Sequence, residues 1–200
     1  VSAIEEFREV SARHAFLTEQ RNDLIEAQNT LHDAIREMDE EMTQRFKTTF
    51  ESIRSHFKLV FRELFGGGQA DLVLTDADNL LETGIEIVAQ PPGKKLQNLS
   101  LLSGGERALT AIGLLFAILK TRPVPFCILD EVEAALDDSN VVRYSQYLKK
   151  FSEHTQFIVI THRKGTMEGA DVLYGITMQE SGVSKLVSVK LEEDAPVTMQ

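Results

Sequence analysis

The spacing of apolar positions changes regime three times along the chain. From Ile4 to Met42 the seam residues Ile4, Phe7, Ser11, His14, Leu17, Arg21, Leu24, Gln28, Leu31, Ile35, Met38 and Met42 recur in steps of three and four. That is the spacing of a coiled-coil seam. After Met42 two steps of four lead through Phe46 to Phe50. Such a stutter locally unwinds a supercoil, and the seam then turns aromatic through Ile53, Phe57, Val60 and Leu64. Residues 1–65 contain neither proline nor glycine. One helix is therefore expected, and at about 1.5 Å per residue it would reach on the order of 95 Å. The seam predicts an arm whose partner strand is not in this sequence, joined by an aromatic neck to a globular part.

Gly66-Gly67-Gly68 ends that pattern, as a flexible helix C-cap does. Beyond it, Ala70–Thr75 and Ile85–Ala89 read as the two strands of a hairpin, and Pro91-Pro92-Gly93 is a hard stop. A helical apolar run, Ala108 to Leu119, precedes Arg122-Pro123-Val124-Pro125. Two short apolar runs follow, Phe126–Leu129 and Phe157–Ile160, separated by a helical stretch at Ser139–Phe151. They read as parallel strands buried on both faces. Val172–Met178 and Lys185–Leu191 read as two more strands joined at Ser181-Gly182, and Glu192–Gln200 as a frayed, acidic tail. The organisation expected is a coiled-coil arm and neck at 1–65, a head lobe at 66–193 and a tail at 194–200.

Composition narrows the function classes. The chain has 200 residues, a formal net charge of −10 and one cysteine, Cys127. A balance that acidic argues against broad nucleic-acid binding by net charge. A lone cysteine excludes an intrachain disulfide and suits a reducing compartment. No apolar run is long enough to span a membrane. The opening at Val1, already helical in character, reads as a fragment of a longer chain. Arg45, Lys47, Arg54, Lys58 and Arg62 could form a basic stripe on the arm, although a solvated helix face is the simpler expectation. His14, His32, His56 and His154 are expected at surface or seam positions.

The chemistry concentrates at three places. Ser103-Gly104-Gly105-Glu106 opens the apolar helix, and serine followed three residues later by glutamate is a capping box. That local role leaves two side-chain-free residues in the first turn unexplained, since glycine there weakens the helix. A helix N-terminus with open N–H groups suits an anion, so a phosphate contact is expected here. Asp130-Glu131 ends the first buried strand. One such acid can hold Mg²⁺ while the next orients or deprotonates water. The second strand ends at Thr161-His162, so Asp130, Glu131 and His162 should meet at one sheet edge, where open α/β sheets bind ligands. The chain contains no G-x-x-x-x-G-K-[ST] phosphate loop: neither Gly66-Gly67-Gly68 nor Gly93-Lys94-Lys95 has the required spacing.

These motifs together resemble the ABC-type ATPases. LSGGE at Leu102–Glu106 looks like their signature, the strand ending Asp130-Glu131 like Walker B with its glutamate, Ala135-Leu136-Asp137 like the D-loop, and His162 like the switch histidine. DEVEAALD, the LFGGGQADL junction and the arm further resemble the C-terminal head segment of bacterial SMC proteins, over essentially the whole chain. Transporter subunits usually carry proline after the Walker B glutamate, where this chain has Val132, and lack the arm.

The resemblance implies an α/β fold, the C-terminal lobe of an ABC-type ATPase head carrying a long N-terminal coiled-coil helix. It also explains the missing phosphate loop, because SMC proteins carry Walker A on a separate N-terminal head segment. By the same resemblance, Glu131 would activate the attacking water and His162 would contact the γ-phosphate region. Asp130 would help hold Mg²⁺. Ser103, Gly104, Gly105, Glu106 and Asp137 would face ATP held by an opposing head. Implied partners are the Walker A segment, a second head, a kleisin subunit and DNA, the last least favoured by the acidic balance. The implied role is ATP-driven head engagement in chromosome condensation and segregation, in the cytoplasm at the nucleoid. Alternatives are a DNA-repair head, a transporter subunit, and a coiled-coil adaptor that has lost catalysis.

Overall fold

Helix α1 runs without interruption over Ser2–Phe65 in the computed structural model, which describes residues 2–153, 155–180 and 182–190. The chain divides into two units. One comprises α1 through Thr48 together with the loop Asp76–Thr83; the other comprises Thr49–Thr75 and everything described from Gly84 onward.

In the first unit the seam is open to solvent: Ile4, Phe7, Leu17, Leu24, Leu31, Ile35, Met38 and Met42 are all exposed. The helix is laced by short-range ion pairs, Asp33 with Arg36 and Glu41 with Arg45. Pairs of this kind contribute only a few tenths of a kcal/mol each. In the loop, the Asp76 carboxylate accepts the N–H groups of Asp78 and Asn79, an Asx turn.

In the second unit α1 becomes a core element. Phe50, Phe57, Val60, Phe61, Leu64 and Phe65 are buried, with Phe61 and Phe65 stacked at 4.1 Å. The helix ends in a Schellman turn: Gly67 N–H donates to the Arg62 carbonyl and Gly66 N–H to that of Glu63. Arg143 donates to the Phe65 carbonyl, satisfying another acceptor at that end.

Strands β1 (Gln69–Leu74) and β2 (Ile85–Gln90) pair antiparallel, and β3 (Gln97–Asn98) adds to β2. A 3₁₀ turn at Leu99–Leu101 leads into α2 (Gly104–Thr121). Strand β4 (Phe126–Asp130), helix α3 (Asp138–Phe151) and β5 (Gln156–Ile160) form a parallel crossover in which Asp130 lies opposite Ile160. The short helix α4 (Lys164–Met167) precedes the antiparallel pair β6 (Val172–Glu180) and β7 (Val183–Lys190). Phe116 of α2 gathers Tyr147 and Phe151 of α3 and Phe157 of β5 at 4.9, 5.4 and 6.2 Å, the aromatic centre of the lobe.

Three expectations change. The β4–β5 sheet is covered on one face only. Phe126, Ile128, Ile158 and Ile160 are 56, 58, 48 and 51% exposed, whereas Leu129 is buried and Phe157 meets Phe116 and Phe151. Alternation along each strand turns these four outward, where no described residue covers them. Second, the basic stripe is not simply solvated. Arg54 makes a two-pronged contact with Asp71 of β1 at 2.6 and 2.9 Å, and Lys58 reaches the same carboxylate at 3.0 Å. Third, His56 is half-buried, its Nδ1 2.9 Å from the Thr121 hydroxyl of α2. His154, Leu191 and the expected tail lie outside the described residues.

Candidate functional site

Ser103 caps α2 as its spacing predicts. Its hydroxyl accepts from Glu106 N–H at 3.4 Å, and Glu106 Oε2 accepts in return from Ser103 N–H at 3.0 Å and from the Ser103 hydroxyl at 2.8 Å. Lys94, from the loop after Pro92, sits 2.8 Å from Glu106. Its hydrogen bond is the main reason the Glu106 carboxyl titrates below its ordinary range. The two glycines have different reasons to be glycine. A Cβ at Gly104 would meet nothing, so that side of the first turn stands open to an approaching group. A Cβ at Gly105 would come within 3.4 Å of the Ala135 carbonyl, in the turn after β4. The Ser103–Glu106 turn and the Ala135–Asp137 turn are thus neighbours within one lobe.

The parallel register of β4 and β5 brings the second and third places together. Glu131 N–H donates to the Ile160 carbonyl at 3.0 Å, extending the ladder by one residue. Glu131 then turns sharply: its φ of 48° makes it the one non-glycine with positive φ among the described residues. A left-handed conformation at a residue with a Cβ carries strain, and such strain clusters at functional sites. The turn aims the Glu131 carboxylate across the strand ends, where its Oε1 lies 3.3 Å from His162 Nδ1. Both side chains face solvent, Glu131 at 54% and His162 at 65% exposure, so the pair is open to a ligand on that side. Asp130 is exposed beside them.

Asp137 serves its own chain first. It caps α3, accepting from Asn140 N–H at 2.8 Å and from the Ser139 hydroxyl at 2.9 Å. The Asn140 N–H, followed by that hydroxyl, holds its carboxyl below the ordinary value. A contact to a second molecule would use what this cap leaves free.

No group of three or more His, Cys, Asp or Glu side chains among the described residues could by itself hold a metal. The donor set at the β4 end still fits Mg²⁺, which is bound through one or two carboxylates with phosphate oxygens and water completing the shell. Asp130 supplies such a hard oxygen.

Two further residues, Glu133 and Arg163, belong to the site although the sequence pattern does not single them out. Glu133, inside the run Val132–Leu136 that reads as apolar, is fully buried and accepts hydrogen bonds from Thr161 and Thr166. Its charge adds to burial, the larger cause, in raising the Tyr144 phenol above its ordinary range. Arg163 reaches back to the Leu136 carbonyl at 3.0 Å and to Asp138 at 2.9 Å. The available signal was a carboxylate inside an apolar run, together with threonines flanking the histidine.

A parallel strand pair with carboxylate and histidine at its C-terminal edge, beside a glycine-opened helix, defines the α/β lobe of an ABC-type ATPase head, with its coiled-coil helix attached. A family model described as RecF/RecN/SMC N terminal domain matches residues 9–185, and the chain belongs to that family. It is 72% identical over 193 residues to the Chromosome partition protein Smc of Bacillus subtilis (strain 168) and 62% identical over 191 residues to that of Desulfitobacterium hafniense (strain Y51). Each match covers 96% of this chain but 16% of the relative, so the chain spans about a sixth of their length. Among solved structures, an Smc head domain with an extended coiled coil, from Pyrococcus furiosus and bound to the C-terminal domain of ScpA, superposes with a TM-score of 0.72 at 39% identity. That match covers 94% of this chain and 47% of the other. A chain from work on ATP-driven dimerization and DNA-stimulated activation of SMC ATPases gives 0.69 at 43% identity, covering 74% and 89%.

Proposed function

We propose that this segment is one half of a split SMC ATPase head. It supplies the water-activating and signature elements, while a separate segment supplies the phosphate loop. The observation that carries the reading is the Glu131–His162 pair, held 3.3 Å apart at the strand ends of a chain with no phosphate-loop motif of its own.

In this reading Glu131 accepts a proton from the water that attacks the γ-phosphate, and the strained turn aims it at that water. His162 holds the γ-phosphate region and, through its contact with Glu131, orients the carboxylate. Asp130 helps hold Mg²⁺, which when bound offsets charge on the phosphates. Ser103, Gly104 and Glu106, with Gly105 behind them, present the N-terminus of α2 to a nucleotide bound by an opposing head, and Asp137 faces the same junction. A site completed only when two heads meet lets ATP join them and hydrolysis release them. The exposed seam of α1 pairs with the returning strand of a coiled-coil arm. The relatives named above support a role in chromosome partition, in the cytoplasm at the nucleoid. The ScpA-bound head supports a kleisin partner, and the DNA-stimulated ATPases support DNA near engaged heads.

The test is reconstitution. This chain alone should show no ATP turnover, and mixing it with a segment carrying G-x-x-x-x-G-K-[ST] should restore turnover that Glu131→Gln lowers at least about a hundredfold. Turnover by the purified chain alone, abolished by Glu131→Gln, would overturn the split.

A further inference from the structure

A network of contacts behind the Glu131–His162 pair takes no part in the hydrolytic scheme. Glu133, in the turn between β4 and α3, places one carboxylate oxygen against the hydroxyls of Thr161 and Thr166, the latter at 2.9 Å. Its other oxygen, Oε2, is buried with no hydrogen-bond partner among the described residues. A buried acid with one idle oxygen is a poor packing choice, since an apolar side chain of similar size would avoid the desolvation cost. The oxygen in use does something specific. The Thr161 hydroxyl donates to it and at the same time accepts Arg163 N–H at 3.0 Å, fixing the backbone on either side of His162. The Arg163 guanidinium in turn ties that loop to the Leu136 carbonyl and to Asp138. His162 itself is mostly exposed, so its place beside Glu131 is set by these neighbours rather than by packing around the ring.

We propose that Glu133 is a positioning residue: through the Thr161 hydroxyl it holds His162 in register with Glu131, and Arg163 locks the same loop to the turn before α3. The proposal rests on the reading that Glu131 and His162 act in hydrolysis. It makes the Glu131–Leu136 turn and the Thr161–Arg163 loop one mechanical unit. Asp137 ends that turn, so a contact made there by a second head would be felt at His162.

The experiment uses the full-length protein that contains this segment and steady-state ATP hydrolysis. Thr161→Val keeps the side-chain shape and removes the hydroxyl. It should lower kcat about tenfold while KM for ATP and ATP-dependent head engagement change less than about twofold, because only the aim of His162 is lost. Thr161→Ser, which keeps the hydroxyl, should restore kcat to within about twofold of the parent. Glu133→Met keeps the side-chain length and removes the accepting oxygen, whereas Glu133→Gln keeps that oxygen and shows that the site folds with an uncharged side chain. The double variant Glu133→Met, Thr161→Val should be no slower than the slower of its two single variants if both act through one bond. An unchanged kcat in Thr161→Val, an equal loss in Thr161→Ser, or fully additive losses would overturn the proposal. Glu131→Gln in the same assay separates the two readings. Full turnover there defeats the hydrolytic scheme itself, whereas loss there with Thr161→Val unaffected defeats only the positioning role.

Discussion

Gly68 shows what a single residue can decide at the junction of neck and lobe. Its φ is 75°, and a Cβ would fall 2.2 Å from the Gln90 backbone carbonyl and 3.2 Å from Pro92. Gly66 has a similar φ of 68° but open space around it. Substituting alanine at Gly66 should therefore cost only the left-handed penalty, about 1 kcal/mol. At Gly68 the same change adds a backbone clash that cannot relax by side-chain rotation, so the loss should be at least about 2 kcal/mol. Urea denaturation of the reconstituted head with each variant measures the difference, and equal losses would show that the Gly68 turn yields. The glycine triplet was legible in sequence as a helix stop, because φ > 0 is a local demand that glycine meets without steric cost. Glu133 was only partly legible: a carboxylate inside an apolar run stands out, but its burial depends on Thr161 and Thr166, 28 and 33 residues further on, and no local pattern reports that. Ser103 and Glu106 were legible because both partners of a capping box lie within one turn.

Among the elements, α1 changes character where it meets β1, and one carboxylate marks the change. Burial alone would raise the Asp71 carboxyl. Hydrogen bonds from Arg54 and Lys58 and from Leu72 N–H outweigh it and bring the group down to about 2, from an ordinary 3.8. Since the folded value is the lower one, the stabilisation is fully present above pH ~4 and is lost as pH falls from about 4 through about 2. Asp71→Asn should therefore be less stable than the parent at neutral pH and converge with it near pH 2, as read by thermal melts across that range. A gap independent of pH would mean that the contact acts through shape and not charge. The long helix itself was readable from seam spacing, and the β4 and β5 pairing from apolar runs ending in polar residues. Strand β3 was not, because two residues carry no periodicity. Nor could spacing along α1 tell that Arg54 and Lys58 leave the solvated face for a strand 17 residues beyond Arg54.

For the lobe as a whole, the open face of the β4–β5 sheet is the feature that most needs another chain. Phe126, Ile128, Ile158 and Ile160 form a contiguous apolar strip whose far end carries Asp130 and leads to Glu131, and strips of this kind on a soluble surface mark interaction sites. The runs Phe126–Leu129 and Phe157–Ile160 read in sequence as buried on both faces. In the split-head proposal that reading holds for the assembled head and not for this segment, with the phosphate-loop segment covering the strip. Fully burying one isoleucine contributes about 1.5–3 kcal/mol. Ile158→Ala should thus weaken association with that segment roughly tenfold, and Ile158→Lys, which also buries a charge, at least about a hundredfold. Because Ile158 faces away from the aromatic centre around Phe116, circular dichroism of the isolated chain should not change. Val142 is also an exposed apolar residue, but it stands on α3 and outside the strip, so Val142→Lys serves as the control and should leave association intact. Association unaffected by Ile158→Lys would mean that the strip is covered by something else, and the split-head assembly would have to be built on another face.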